Sequence, residues 1–399
     1  MIKAAVHALG PGPLTEASLQ EHIRPLFSRT LARAEIYLAN HSLGRPLDRT
    51  AQDVQEALGY WYQDLNGAWD PWIEAITAYR TRIAHLIHAP RPDCVVPKTS
   101  AGQGLRAVLN TFDRPIRVVT TRGEFDSLDF ILKVYQQHDR VELAYVEPDA
   151  EGRFQVDDLL AAIDDRTGLV VVSAVMFTSG QVVTGLDRLV KGAHAHGAKV
   201  LVDLYHAVGA LPVDVAALDA DFAVGGCYKY LRGGTGACYL YVHPRHLDGQ
   251  LTTLDTGWFA KREPFAYQRP EVPQFGEGGD AFLESTPAIL PIYQAKAGLE
   301  LACELGPSRI RTYSLHQQSI LIGALAEHGI EAIGAREDQG AFVVVSHPRA
   351  VELAKRLMAR GVNTDARHAS LRLCPDVVTT TEDLRTAADR LADTIRALA

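Results

Sequence analysis

Short apolar runs alternate with helical patterns through the middle of the chain. Four runs rich in β-branched residues are typical of strands, and they cover residues 116–121, 141–146, 168–177 and 199–203. Between residues 185 and 198, apolar side chains recur at the spacing of one helix face. The run at 199–203 is apolar without alternation, which is typical of a parallel strand covered on both faces. The pattern predicts an α/β domain with a mostly parallel central sheet.

The pattern changes after about residue 290. Helical and strand patterns then follow one another at 287–306 (helix), 341–346 (strand), 347–361 (helix), 370–375 (strand) and 379–398 (helix). Thr379 and Glu382 have the spacing of a capping box at the start of the closing helix. This segment predicts a smaller α/β unit. We therefore predict a large domain over residues 45–285 and a small domain that combines residues 1–44 with 286–399.

Composition narrows the classes of function. The chain has 399 residues, of which 47% are hydrophobic, and a net charge of -8, so no basic surface favours nucleic acid or an anionic membrane. No window approaches the roughly 18 apolar residues of a membrane span. The five cysteines are scattered without a C-x-x-C pair. His194 and His196 are two residues apart, and on a helix this spacing points their rings to different faces, which does not suit a shared metal ion. We expect a cytoplasmic protein without a metal site that acts on a small molecule.

The segment 203–237 carries the candidate chemistry. Asp203 ends a predicted parallel strand, where ligands of such sheets bind, and His206 and Lys229 follow. Taken singly, each has a simpler interpretation. Asp203 would cap a helix, His206 would be a buried hydrogen-bonded histidine, and Lys229 would be a lysine whose amine reaches solvent. Together they meet the needs of pyridoxal 5'-phosphate (PLP). This cofactor takes a lysine amine at its aldehyde and a carboxylate at its pyridine nitrogen.

Two further patterns bear on this cofactor. Gly233, Gly234 and Gly236 precede a strand and not a helix, which argues against a dinucleotide fold, and we expect them to let the backbone pass close to the cofactor. Thr99 and Ser100 stand just before a predicted helix, whose first amides favour a phosphate. Helix capping explains the same pair and is compatible with phosphate binding.

At this point the sequence resembles a known family. The motif "DLYHAVG…DFAVGGCYKYLRGGTGA" resembles the cofactor segment of class V, fold-type I PLP enzymes, most closely that of kynureninases. The resemblance includes "IYLANHSLGRP", "WDPW", "GWF" at 257–259 and "FLESTP" at 282–287, and spans roughly residues 35–375. It implies a fold-type I architecture and a homodimer with active sites shared between subunits.

The resemblance also implies roles for individual residues. Lys229 would be the Schiff-base lysine and proton shuttle, Asp203 would pair with the pyridinium nitrogen, and His206 would orient the ring. Phe125 would stack on the ring, and Tyr228 would bind the phosphate and move a proton at the substrate β-carbon.

The remaining implied roles concern the phosphate, the second subunit and the substrate. They fall on Thr99 and Ser100 (phosphate), on Trp258, Ser285 and Thr286 (reaching in from the partner), on Arg372 (the substrate α-carboxylate), and on His41, Ser42 and Trp69 (further substrate contacts).

The predicted activity is that of a kynureninase-type hydrolase, which cleaves the Cβ–Cγ bond of L-kynurenine or a related aryl-keto amino acid into alanine and an aromatic acid. The sequence departs from kynureninases at Thr286, where they carry asparagine, and in "NGAWDPW", where many have a histidine. Other class V reactions therefore stay open: C–S β-elimination, transamination or epimerisation. Persulfide-forming desulfuration is disfavoured because residues 363–370 contain no cysteine. A catalytically silent relative is a third possibility.

Overall fold

Twelve strands form three sheets in the computed structural model, which describes residues 1–398. The strands are β1 (Ile36–Tyr37), β2 (Val95–Lys98), β3 (Ile116–Thr121), β4 (Val141–Val146), β5 (Thr167–Ser173), β6 (Lys199–Asp203), β7 (Phe222–Gly226), β8 (Cys238–Val242), β9 (Val343–Ser346), β10 (Val362–Asn363), β11 (Asp365–Arg367) and β12 (Ser370–Leu373). The central sheet has seven strands in the order β2-β8-β7-β6-β5-β3-β4. Strands β3 to β7 run parallel and β8 runs antiparallel to both its neighbours. The predicted mostly parallel sheet is confirmed.

The four predicted strands of the central sheet are β3, β4, β5 and β6. Three of them have the predicted bounds, but the run predicted to reach residue 177 ends at Ser173. The amide of Ala174 still donates to the carbonyl of Asp203, and the chain then turns, with the amide of Gly180 donating to the Met176 carbonyl. Val175 and Met176 are buried in this loop. Their apolar character comes from burial and not from a strand.

Fifteen α-helices accompany these sheets within the described residues. They are α1 (Ile2–Ala8), α2 (Glu16–His22), α3 (Ser28–Leu31), α4 (Arg49–Gln63), α5 (Trp69–Leu86), α6 (Ala101–Leu109), α7 (Asp126–Gln137), α8 (Val156–Ala162), α9 (Leu186–Ala195), α10 (Val215–Leu218), α11 (Pro244–Asp248), α12 (Ile289–Leu305), α13 (Pro307–Ala326), α14 (Ala350–Ala359) and α15 (Thr381–Arg396). The capping box of α15 is formed by Thr380 and Asp383, one residue later than predicted. Thr379 instead accepts a hydrogen bond from the amide of Asp376, so its hydroxyl is not available to the helix.

The C-terminal part has its own sheets and its own apolar core. β11, β12 and β9 form an antiparallel sheet, and β1 pairs in parallel with β10. Ile36 and Leu38 therefore share a buried cluster with residues from β9, α14 and α15. The division into two domains, with boundaries at residues 45 and 286, stays a prediction.

Among residues 1–398, no helix combines the length and the apolar character that a membrane span needs, and no three or more His, Cys, Asp or Glu side chains are grouped so that they could hold a metal ion. His194 pairs with Asp221 and His196 with Asp165. All five cysteines are free thiols.

Close packing of α12 against the loop after β7 requires a glycine at position 298. A methyl group at Gly298 would collide with the carbonyl oxygen of Leu231, whereas one at Gly323, in α13, would meet nothing within 4 Å. We expect Gly298→Ala to lower the free energy of unfolding by about 1–3 kcal/mol, because overpacking exceeds the gain in helix propensity. The control Gly323→Ala should raise it by about 0.5–1 kcal/mol. Denaturant unfolding measures both, and equal effects of the two variants would contradict this packing.

Candidate active site

Four segments meet where the parallel strands of the central sheet end. Ser173 and Asp203 are the last residues of β5 and β6, and they lie side by side in register. Phe125 follows β3, and Lys229 follows β7. Because all four strands run in the same direction, the residues after them collect at one edge of the sheet. This edge carries the candidate site.

Lys229 lies in the turn between β7 and β8 and is 5% exposed. Its Nζ is 2.5 Å from Nε2 of His206. The rings of Phe125, Tyr205 and Tyr228 surround the amine, with centroids 5.3 to 5.6 Å from Nζ. Burial lowers the pKa of Lys229, against the opposing charge of Asp203. Near neutral pH a much larger fraction of this amine is unprotonated than of an exposed lysine, which makes it nucleophilic.

The Lys229 turn is held by the N-terminal segment and by a buried ion pair. The amide of Gly44 donates to the carbonyl of Tyr228 at 2.7 Å, and a side chain at position 44 would collide with the carbonyl of Lys229. Within the turn, Arg232 adopts a positive φ of 56° and its guanidinium pairs with the buried Asp376. The backbone of Lys229 is thus fixed from two sides.

Asp203 and His206 are both buried beside this amine. The carboxylate of Asp203 accepts a hydrogen bond from the amide of Tyr205 at 2.7 Å, and burial raises its pKa. Burial also lowers the pKa of His206 well below its ordinary value, so its imidazole is neutral. Nδ1 of His206 lies 3.4 Å from the hydroxyl of Tyr230. A neutral imidazole can therefore donate to Tyr230 and accept from Lys229.

A cavity of about 300 Å³ opens between these segments. The predicted residues that line it are Ser100, Phe125, Asp203, His206, Tyr228 and Lys229. Further lining residues, among them Ser173, Phe177, Tyr205 and Arg106, were not predicted. Burial raises the pKa of Tyr228 to about 12, so this hydroxyl keeps its proton at neutral pH.

Ser100 lines the Lys229 cavity, whereas Thr99 lines a neighbouring cavity. Ser100 caps α6 by accepting from the amide of Gln103 at 3.1 Å, so the first amides of this nine-residue helix lie beside the cavity. The amide and hydroxyl of Thr99 donate to the Gln103 side chain, and Thr99 lines a neighbouring cavity together with Ser285 and Thr286. Ser100 and the α6 amides thus suit a phosphate in the Lys229 cavity, and Thr99 does not reach it within one subunit.

Trp258 and Trp69 belong to an aromatic cluster outside the cavity. Their rings pack edge to face at 6.4 Å, and both contact Phe259 and Phe265. The indole N–H of Trp258 donates to the hydroxyl of Thr286 at 3.0 Å. Within a single subunit, therefore, neither tryptophan lies beside Lys229.

Arg372 is buried and does not line the cavity. Its Nε and Nη2 donate to the two carboxylate oxygens of Asp365, at 2.8 and 2.5 Å, and its Nη1 donates to the carbonyl of Phe177. His41 and Ser42 also donate to the carboxylate of Asp365. The three predicted substrate residues are therefore brought together, but around a carboxylate that belongs to the chain itself.

The cavity residues fit pyridoxal phosphate. A buried amine of lowered pKa suits an aldehyde. No side chain among the described residues donates a hydrogen bond to Asp203, which accepts only from the amide of Tyr205, so its carboxylate is free to face a pyridinium N–H. Lys229 would hold the cofactor covalently, Asp203 would bind the ring nitrogen, Phe125 would cover the ring, and Ser100 with the α6 amides would receive the phosphate.

The glycine cluster has a different role from the one expected. A side chain on Gly233, Gly234 or Gly236 would meet Ala295, Gln294 or Pro291, all of which belong to α12. These glycines allow α12 to approach the loop after Lys229. The expectation that they admit the cofactor is not supported, because the space they leave is filled by this helix.

Two carboxylates near the site, one buried and one half-buried, were not predicted. Glu124 precedes Phe125, and both of its oxygens accept from Ser173. Asp365 lies in the segment 363–370, which contains no cysteine. The pairing of Asp365 with Arg372 could have been suspected from a short hairpin, since the two residues are directly opposite across β11 and β12. Nothing in the sequence indicated the burial of Glu124.

Comparisons with known proteins agree with this geometry. The sequence model of the aminotransferase class-V family matches residues 56–381. Kynureninase from Bacillus anthracis is 28% identical over 362 residues, which cover 85% of this chain and 83% of the relative. A Bacillus subtilis protein named uncharacterized aminotransferase YcbU is 28% identical over 381 residues, covering 94% and 98%.

Solved structures extend the comparison to the fold. Cysteine desulfurase from Thermococcus onnurineus NA1 superposes with a TM-score of 0.81 at 20% identity, covering 94% of this chain and 98% of that one. The likeness confirms the predicted fold-type I architecture. At this identity it carries no information on the reaction.

Because Glu124 is buried, we expect the free energy of unfolding to depend on pH. Burial raises the pKa of Glu124 to about 7, against hydrogen bonds from Ser173 and Thr121, whereas the ordinary value is 4.5. Between pH 4.5 and pH 7, therefore, Glu124 is protonated in the folded chain and ionised in the unfolded chain. The free energy of unfolding contributed by this group therefore falls as pH rises from 4.5 to 7, by about 3 kcal/mol in all.

Glu124→Gln removes this titration. The free energy of unfolding of the variant, relative to the original protein, should rise by about 3 kcal/mol between pH 4.5 and pH 8. The control Glu151→Gln, at an exposed turn position, should follow the original profile. Urea unfolding at a series of pH values is the measurement, and parallel profiles for Glu124→Gln and the original protein would refute the assignment.

Proposed function

Because the chain belongs to the class-V aminotransferase family and is a pyridoxal-phosphate enzyme, we propose that it is a hydrolase of kynureninase type. Its substrate would be L-kynurenine or a related aryl-keto amino acid, cleaved between Cβ and Cγ into alanine and an aromatic acid. The observation that carries this proposal is the identity of 28% over 362 residues to kynureninases. The aromatic residues Phe125, Phe177 and Tyr228 in the cavity lining are consistent with an aryl substrate.

The residues around Lys229 can perform the proton transfers of this reaction. When bound, the cofactor supplies an electron-withdrawing ring that stabilises negative charge at the substrate α-carbon. Nζ of Lys229 would take the α-proton, and neutral His206 at 2.5 Å would orient this amine between transfers. The hydroxyl of Tyr228, with its pKa raised to about 12, keeps its proton and could donate it to the β-carbon of the leaving alanine fragment.

Several residues gain a role only in a homodimer, which is part of this proposal. Trp258, Ser285 and Thr286 lie away from their own Lys229 cavity. Trp61 and Tyr62 expose large aromatic surfaces on α4, and the Trp61 ring is connected to Trp258 through Trp72 and Trp69. A second copy packed against this face would bury these rings. It would also bring Ser285 and Thr286 toward the other subunit's phosphate.

The positions and the burial of the cysteines argue against persulfide chemistry. A desulfurase needs a mobile cysteine near the carboxylate-binding arginine, and residues 363–370 contain none. Cys374 is the cysteine closest in sequence to Arg372, but it is fully buried and its thiol donates to the carbonyl of Ala341 at 3.2 Å. Transamination is the second candidate, favoured by the coverage of 94% and 98% in the comparison with the B. subtilis aminotransferase.

The reaction can be assayed directly. We expect the cofactor-loaded protein to convert L-kynurenine or 3-hydroxykynurenine into anthranilate or its hydroxy derivative, with one alanine formed for each aromatic acid. Fluorescence of the aromatic acid and chromatography of alanine measure the two products. Lys229→Ala should abolish both. A fully loaded protein that releases neither product, or that instead converts an added keto acid into an amino acid, would overturn the hydrolase assignment and favour the aminotransferase.

A further inference from the structure

A carboxylate of the chain itself fills the site expected to receive the substrate carboxylate. Asp365 accepts two hydrogen bonds from Arg372, one from Nε2 of His41 at 2.7 Å, and one from the hydroxyl of Ser42. Arg372 and His41 are 2% and 1% exposed. Four donors on three side chains therefore converge on one carboxylate, which is the arrangement that a protein uses to bind a carboxylate ligand.

The donors have little capacity left for a second carboxylate. Nε and Nη2 of Arg372 form the side-on fork that binds a carboxylate with two parallel hydrogen bonds, and Asp365 occupies both. Nη1 donates to the carbonyl of Phe177. Burial lowers the pKa of His41 to about 4, so the neutral ring uses its Nε2 proton on Asp365, and Nδ1 has no partner among the described residues.

Asp365 covers the arginine on the side that leads outward. The Asp365 side chain is 18% exposed, whereas the Arg372 side chain is 3% exposed. Phe177 lines the Lys229 cavity and its carbonyl holds Arg372, but Arg372 itself does not line that cavity. Because Asp365 occupies both Nε and Nη2 of Arg372, the carboxylate of a ligand can use this pair of donors only after Asp365 has left them.

The fold offers Asp365 a second partner. It is the first residue of β11, one of the two edge strands of the three-stranded sheet. The guanidinium of Arg367 lies 3.7 Å from its Oδ2 and is 45% exposed. A rotation of the Asp365 side chain away from Arg372 would exchange a buried arginine for an exposed one, so the aspartate would not be left without a counter-charge.

We propose that Asp365 is a built-in competitor for the substrate carboxylate: it occupies Arg372, His41 and Ser42 in the empty enzyme, and leaves toward Arg367 when an amino acid binds. This inference rests on the proposed function and on the role that the family resemblance implies for Arg372, which is to bind the substrate carboxylate. It does not depend on the substrate side chain. Asp365 thereby weakens the binding of every carboxylate by the same factor, so that only a ligand with further contacts, such as an amine at Lys229, still binds tightly.

The test uses propionate, a carboxylate without an amine, and the cofactor-loaded protein. Asp365→Asn removes the competing charge at nearly constant volume, and the dissociation constant of propionate, measured by calorimetry, should fall roughly tenfold or more because the competent site is no longer occupied. The control Asp393→Asn changes an aspartate that pairs with Arg360 and Arg396 on the surface, and should leave this constant unchanged. Adding Arg372→Gln to Asp365→Asn should abolish the binding.

An unchanged or larger dissociation constant in Asp365→Asn would overturn the proposal and would mean that Asp365 only orients Arg372. A second measurement needs no variant: a crystal structure of the original protein with saturating propionate should show Asp365 turned toward Arg367, and an aspartate still bound to Arg372 beside the ligand would contradict the exchange. If propionate behaves as expected but L-kynurenine is not cleaved, the proposed function fails and this inference stands.

Discussion

A lysine amine buried at the end of a parallel sheet is the constraint on which the rest of the site depends. An ammonium group at 5% exposure is costly unless it is paired or loses its proton; burial lowers the pKa of Lys229, and the negative charge of Asp203 opposes this shift. The turn that carries Lys229 is fixed by Gly44, by Arg232 with Asp376, and by the close approach of α12. The scaffold therefore stabilises an arrangement that is unfavourable by itself and useful for aldehyde chemistry.

Around this amine the site contains three carboxylates in different environments. Asp203 faces the amine and is available to a ring nitrogen. Glu124 is enclosed by the hydroxyls of Ser173 and Thr121, and burial raises its pKa. Burial alone would also raise the pKa of Asp365, but hydrogen bonds from His41 and Arg372 hold it well below the ordinary value. Carboxylates of aspartate and glutamate thus meet different surroundings here, and burial, hydrogen bonds and neighbouring charges together set the pKa of each.

The sequence predicted the central sheet well and the site in part. Unbroken apolar runs such as 199–203 are typical of strands covered on both faces, and from this run the location of Asp203 followed. The strand predicted through residue 177 ran too far because buried loop residues are as apolar as strand residues. Lys229, Asp203, His206 and Phe125 were brought together as expected. The hairpin pairing of Asp365 with Arg372 was open to prediction but was missed, whereas the contacts that Asp365 makes with His41 and Ser42 join distant segments and leave no periodic signal.

The central claim is that Lys229 holds the cofactor covalently, and reductive trapping tests it most directly. Borohydride reduction of the cofactor-loaded protein, followed by digestion and mass spectrometry, should place one pyridoxyl phosphate group per chain on the peptide that contains Lys229. A label on another lysine, such as the buried Lys98, or a protein that carries no label after incubation with the cofactor, would contradict the account.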